Sequence, residues 1–140
     1  MRVQDIMTTN VIVISLDEKL DLVDEIMSEG HIRHMPVTQG GRVIGIVSQR
    51  DLLRARLSSV LSYSEEVREK FLQAVDVEKV MTPNVQIALP GESVVHAAKR
   101  MVEAKIGCLP VVNEDGDLLG LITETDVMRH FVETAPEEES

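Results

Sequence analysis

Apolar and polar positions follow two distinct periods along the first part of the chain. Val11-Ile12-Val13-Ile14 is a β-branched run and predicts a short strand. Asp17 stands as an N-cap ahead of a segment in which Leu20, Val23, Ile26 and Met27 share one face at helical spacing. Met35-Pro36-Val37 reads as a second strand. A glycine turn, Gly40-Gly41, separates it from a third, Gly45-Ile46-Val47-Ser48, so the two strands are expected to form a hairpin. Helical patterning resumes at Leu52-Leu53-Arg54-Ala55. The order is β-α-β-β-α, which predicts an α/β arrangement with a small sheet and helices on one side.

The succession then repeats. Val3-Gln4-Asp5-Ile6-Met7-Thr8-Thr9-Asn10-Val11 aligns with Val77-Glu78-Lys79-Val80-Met81-Thr82-Pro83-Asn84-Val85. Val85-Gln86-Ile87-Ala88 matches the first strand, and Val94, Ala97, Ala98 and Met101 match the first apolar helix face. Met35-Pro36-Val37 aligns with Leu109-Pro110-Val111, and Gly45 with Gly120; the turn Glu114-Asp115-Gly116 is one residue longer than its counterpart. Two short copies suggest a pseudo-twofold pair rather than a solenoid. The expected organisation is repeat 1 at 1–60, a connector at 61–76, repeat 2 at 77–134 and an acidic tail at 135–140. In the connector, Ser62-Tyr63-Ser64-Glu65 has capping-box spacing, and Val67, Phe71, Ala74 and Val75 fall on one helical face. Without glycine or proline between Ser58 and Asp76, it reads as a packed helix rather than a flexible linker.

Composition narrows the function classes. The 140 residues are 44% hydrophobic, enough for a packed interior, but only 2% aromatic. The core must therefore be aliphatic, and base-stacking platforms for single-stranded nucleic acid are not expected. A formal net charge of −10, part of it in Glu137-Glu138-Glu139, repels nucleic acid and anionic membranes. Cys108 is the single cysteine, so no intramolecular disulfide is possible; beside Ile106, Leu109 and Pro110 it reads as a small buried hydrophobe. Neither a signal pattern nor an apolar run of membrane-spanning length is present, and a cytoplasmic protein is the expectation.

The candidate chemistry lies where each third strand meets the next helix. Gly45-Ile46-Val47-Ser48-Gln49-Arg50-Asp51 and Gly120-Leu121-Ile122-Thr123-Glu124-Thr125-Asp126 both set a hydroxyl three residues before a carboxylate at a strand-to-helix corner. An ionised carboxylate can accept hydrogen bonds from both hydroxyls of a ribose cis-diol. The helix start adds free N–H groups and a positive dipole end. The same spacing also suits a plain helix cap, and one duplication would copy a cap as readily as a binding site.

The ordered set Met-Thr-x-x-Val, Pro-Val and Gly-φ-φ-(Ser/Thr)-x-x-Asp (φ apolar), present twice, resembles a tandem pair of cystathionine-β-synthase (CBS) domains, the Bateman module. The resemblance spans all but the connector and tail. It implies two β-α-β-β-α CBS repeats packed sheet to sheet about a pseudo-twofold axis, with clefts that take adenosine-containing ligands: AMP, ADP, ATP or S-adenosylmethionine, AMP foremost. It assigns ribose to Asp126 with Thr123 and to Asp51 with Ser48, and adenine pockets to Thr8, Val11, Thr82 and Val85. It assigns phosphate to basic residues before the apolar-Pro pair, here Arg33 and His34, joined by Arg50. Repeat 2 has Gly107-Cys108 at that place, so the Asp126 cleft is expected to be the better nucleotide site and the Asp51 cleft, facing Gly107, Cys108 and Thr125, the poorer. His31 and His34 lack a third ligand, so no metal is expected. With no nucleophile–base pair in view, the expectation is a regulatory ligand sensor rather than an enzyme, a homodimer that signals to a separate protein. The alternative is a structural or interaction module with unoccupied clefts.

Overall fold

A computed structural model describes residues 1–58 and 65–137. The chain divides into two compact units, and the division does not follow the repeats. One unit is the continuous stretch Ile12–Val85. The other joins Met1–Val11 to Gln86–Ser140.

The 12–85 unit is built on a four-stranded sheet of order β1(Ile14–Ser15), β2(His34–Gln39), β3(Arg42–Ser48), β4(Thr82–Pro83). β1 pairs parallel to β2, while β2–β3 and β3–β4 are antiparallel. The expected hairpin is present, and its turn places Gly40 and Gly41 at φ 59° and 80°, a region open to glycine at little cost. Helices α2(Leu20–Gly30), α3(Gln49–Ser58) and α4(Glu65–Ala74) complete the unit. Leu20, Val23 and Met27 pack with Met35, Val37, Val47 and Leu52 in its core, as the helical spacing predicted.

The other unit repeats this plan. It holds α1(Val3–Ile6), α5(Val94–Ala104), the antiparallel hairpin β5(Cys108–Val112)–β6(Leu118–Thr123) and α6(Glu124–Thr134). Isolated bridges fill the places of the outer strands: Ala88 pairs with Val111 and Thr8 with Leu121. Its core gathers Val3, Ala88, Ala97, Met101, Leu109, Val111 and Ile122.

Three local expectations are corrected. Lys19, not Asp17, is the N-cap of α2; Asp17 instead accepts a hydrogen bond from the Ser15 hydroxyl at 2.5 Å, which holds its pKa below the ordinary value. The β-branched runs are not four-residue strands. Only Ile14 of the first and Ala88 of the second pair and bury, while Ile12 and Val13 stay exposed. β-branching alone does not make a strand when the neighbouring backbone offers only one or two partners. At the connector helix α4, Phe71 and Val75 pack against the core as expected, but among the described side chains Leu72 is the one of the helix that is fully buried, and Ala74 is exposed. The proposed cap Ser62-Tyr63-Ser64, the Glu65 and Val67 side chains, and Glu138-Glu139 lie outside the described residues.

The Met-Thr motif has a packing reason. Met81-Thr82 crosses β3 at Gly45, and Met7-Thr8 crosses β6 at Gly120. A Cβ on Gly120 would lie 2.7 Å from the Thr8 carbonyl oxygen and 2.8 Å from Met7 Sδ; on Gly45 it would lie 2.8 Å from the Thr82 oxygen and 2.7 Å from Met81 Sδ. In each unit the glycine of one repeat thus receives the Met-Thr segment that opens the other.

Candidate functional site

Each β-strand-to-helix corner is a reciprocal cap. At the first, the Ser48 backbone N–H donates to Asp51 Oδ2 at 2.8 Å, and the Asp51 N–H donates to Ser48 Oγ at 3.0 Å. At the second, the Thr123 N–H donates to Asp126 Oδ2 at 2.9 Å, and the Asp126 N–H donates to Thr123 Oγ1 at 3.2 Å. The capping reading is therefore correct as local structure. It does not exhaust the carboxylates, since each has two oxygens and roughly four acceptor positions.

The two aspartates differ in their surroundings. Asp126 is 4% exposed and is the one buried charged or polar residue among those described. Besides the cap, it accepts from Thr123 Oγ1 at 3.0 Å, and from the Thr8 hydroxyl at 3.1 Å (Oδ1) and 3.3 Å (Oδ2). Arg129 Nη1 lies 3.5 Å from Oδ1. Asp51 is only half-buried. Thr82 occupies the place of Thr8 beside β3, opposite Ile46, but among the described residues its hydroxyl makes no comparable bond to Asp51.

Of the expected adenine-pocket residues, Thr8 and Val11 belong to the unit that carries Asp126, and Thr82 and Val85 to the unit that carries Asp51. Between the latter two, Asn84 adopts φ 51°, a left-handed turn that asparagine tolerates. The expected phosphate residues Arg33, His34 and Arg50 gather at the Ser48–Asp51 corner of their own unit. His34 pairs with Ser48 across the hairpin, and the Gln49 N–H donates to the Arg33 carbonyl at 2.8 Å. Arg33 and Arg50 are exposed and His34 is half-buried. At the other corner Cys108 pairs with Thr123, and the Glu124 N–H donates to the Gly107 carbonyl at 3.0 Å. Cys108 is 6% exposed, and burial, aided by the Glu124 charge, pushes its thiol up to about 12. It is an inert core residue, as expected.

Sequence reasoning missed the direct Thr8–Asp126 bond. The signal was present in the pairing of Met-Thr with Gly-φ-φ-(Ser/Thr)-x-x-Asp, but not which copy serves which. Among the described residues, no group of three or more His, Cys, Asp or Glu is placed to hold a metal ion.

A family model for the CBS domain matches residues 3–58 and 77–133. The chain belongs to the CBS-domain family. A CBS domain-containing protein of Dictyostelium discoideum is 32% identical over 90% of this chain and 88% of its own length. An uncharacterized protein of Methanocaldococcus jannaschii is 32% identical over 92% of this chain, and a homoserine O-acetyltransferase of Methanococcoides burtonii is 34% identical over 91% of it. This CBS pair spans 46% and 23% of those two relatives, respectively. Among solved structures, CBSX2 in complex with AMP has a TM-score of 0.78 at 28% identity, covering 94% of this chain and 96% of its own. CBSX2 is a CBS-pair protein from Arabidopsis thaliana. The CBS domain pair of protein MJ0100, in complex with 5'-methylthioadenosine and S-adenosyl-L-methionine, has a TM-score of 0.81 at 25% identity, covering 96% of this chain and 98% of its own.

Proposed function

We propose that this CBS pair is a regulatory module that binds an adenosine-containing ligand at the Ser48–Asp51 and Thr123–Asp126 corners and signals its occupancy to a partner protein. The observation that carries the reading is the duplicated hydroxyl–carboxylate corner, together with structural neighbours described in complex with AMP or with methylthioadenosine and S-adenosylmethionine. In this reading Asp126 and Asp51 take the ribose diol, assisted by Thr123 and Ser48. Thr8, Val11, Thr82 and Val85 border the base, and Arg33, His34 and Arg50 supply phosphate contacts. AMP is the first ligand to try, then ADP, ATP and S-adenosylmethionine. A thermal-shift screen of the four tests the reading. A rise in melting temperature that grows with ligand concentration supports it. No shift with any of them leaves the interaction module with unoccupied clefts.

The same proposal includes a homodimer. Helices α5 and α6 border an apolar groove of about 480 Å³ lined by Val95, Ala98, Val102, Val127 and Phe131. Val102 is 77% and Phe131 70% exposed, more apolar surface than a lone helix pair normally leaves to water. Lys99 and Glu103 border the groove, so a second copy related by a twofold could pair opposite charges around the apolar centre. The equivalent face of the 12–85 unit is polar. Counting from the left-handed C-caps His31 and Lys105, Asp24 stands where Ala98 does; counting from the corner aspartates, Arg56 stands where Phe131 does; and Asp24 and Arg56 form an ion pair. The dimer is therefore assigned to the α5–α6 face. Light scattering should give a dimer for the native chain and a monomer for Phe131→Glu. A monomeric native chain at micromolar concentration removes the assignment.

A further inference from the structure

We infer that the Thr8 hydroxyl is an internal competitor for the ligand hydroxyls at Asp126, so that this corner is held by the chain's own N-terminal segment until a ligand displaces it. The inference rests on the binding reading above and adds a residue that sets affinity at one corner but not the other.

The acceptor positions of Asp126 are nearly filled. Oδ2 takes the Thr123 N–H and the Thr123 hydroxyl, at 2.9 and 3.0 Å. The Thr8 hydroxyl bridges both oxygens, at 3.1 and 3.3 Å, and Arg129 stands 3.5 Å from Oδ1. A cis-diol brings two donors, and a carboxylate has roughly four positions in all. One resident donor has to leave. The Thr123 N–H cannot, because it is fixed by the first turn of α6 and the hydrogen bond from the Asp126 N–H to Thr123 Oγ1. Thr8 is the donor at the surface: the residue is exposed, while the carboxylate under it is 4% exposed. A ligand arriving from solvent meets Thr8 first.

The competitor is also aimed. The Thr8 N–H donates to the Leu121 carbonyl at 2.9 Å, and the Leu121 N–H returns a bond to the Thr8 carbonyl at 2.8 Å. Gly120 allows this approach, since a Cβ there would meet the Thr8 oxygen. Displacing the hydroxyl therefore needs only a side-chain rotation, with the backbone bridge kept. The other corner has the backbone pairing of Thr82 with Ile46, but among the described residues no hydroxyl donates to Asp51, so the Thr8 competition has no counterpart among them there.

A residue that merely shaped the pocket would weaken binding when altered, whereas a competitor has the opposite sign. AMP calorimetry and ligand-free melting are measured on the full chain as wild type, Thr8→Val, Thr8→Ser, and Thr8→Val combined with Asp126→Asn. Thr8→Val is expected to melt lower than wild type without ligand, having lost a bond to a buried carboxylate. It is also expected to bind AMP roughly tenfold more tightly, the size of one charge-assisted hydrogen bond. Thr8→Ser should match wild type in both, and the tightening should vanish in the Asp126→Asn background. If AMP binds wild type and Thr8→Val binds it equally or more weakly, Thr8 does not compete; the inference falls and the binding reading stands. If none of the proteins binds AMP, adenosine or S-adenosylmethionine, the binding reading falls and takes the competition with it.

Discussion

Asp51 and Asp126 occupy equivalent corners, yet one is half-buried and the other almost wholly so. The capping geometry shared by both shows why the sequence motif alone could not separate a helix cap from a ribose grip: the same side chain caps with one oxygen and keeps a second, which at Asp126 already takes the Thr8 hydroxyl. Function has to be read by substitution. Asp126→Ala is expected to abolish the tighter AMP event in calorimetry, and Asp51→Ala to leave it nearly intact; the reverse outcome would assign the tight site to Asp51. Arg33→Ala is expected to weaken AMP by about tenfold or more and spare adenosine, because a charge-assisted phosphate contact contributes on the order of 1.5–3 kcal/mol and adenosine has no phosphate. Equal losses for both ligands would remove Arg33 from phosphate recognition. Cys108 supplies a pH prediction. Its thiol is raised from 9.0 to about 12 in the folded chain, so the folded state favours the protonated form. The stability this contributes is fully present below the unfolded pKa near 9.0 and is lost as pH rises toward about 12. Cys108→Ala should therefore show a flatter fall in urea midpoint across that alkaline window than the native chain.

At the scale of elements, the hairpins and the apolar faces of α2 and α5 were legible because each rests on a local period. Leu20, Val23 and Met27, and Val94, Ala97 and Met101, are buried as their spacing required. The outer strands were not legible. Val11-Ile12-Val13 is as β-branched as any strand, but whether it pairs depends on which distant backbone lies alongside, and only Ile14 finds a partner. The start of α2 was misplaced for a related reason: Ser15 claims the Asp17 carboxylate and leaves Lys19 as the cap. The corner residues were legible as a set; the Thr8–Asp126 contact was not, because it joins residues 118 positions apart. The packing of Met-Thr on glycine makes a further prediction. Gly120→Ala forces a methyl against the Thr8 carbonyl and Met7 sulfur, and Gly45→Ala does the same at Thr82 and Met81. The backbone oxygen cannot turn aside as a side chain could. Each variant is expected to lose about 1–3 kcal/mol in urea unfolding. A loss below about 0.5 kcal/mol would mean that the crossing segment shifts freely. Gly91→Ala, where an added Cβ meets nothing within 4 Å, serves as the control.

For the whole molecule, the repeat in the sequence and the compact unit in space partition the chain differently. The family match begins at residues 3 and 77, whereas the units divide near residues 11 and 85. The difference is the Met-Thr segment: Val77 and Met81 pack in the core of the 12–85 unit, with the repeat that precedes them in sequence, and Val3 and Met7 in the core built from 86–140. A fragment cut at the repeat boundary, 1–76, keeps Met1–Val11 without the strand it docks on and loses Val77, Met81 and the β4 edge. A fragment cut at the unit boundary, 12–85, keeps the four-stranded sheet, the buried Val77 and the connector helix α4 with Leu72. Both fragments are small enough that a missing edge strand and two or three core side chains decide stability. Fragment 12–85 is expected to melt cooperatively by circular dichroism, and fragment 1–76 to show no cooperative transition although it includes most of the same helices. Adding a synthetic peptide of residues 77–85 should restore a transition to 1–76, because that peptide supplies the segment its β3 edge and Gly45 are shaped to receive. If 1–76 melts cooperatively on its own and the peptide leaves its midpoint unchanged, the segment exchange contributes nothing to the stability of the unit, and the Met-Thr motif would then be retained for the corners alone.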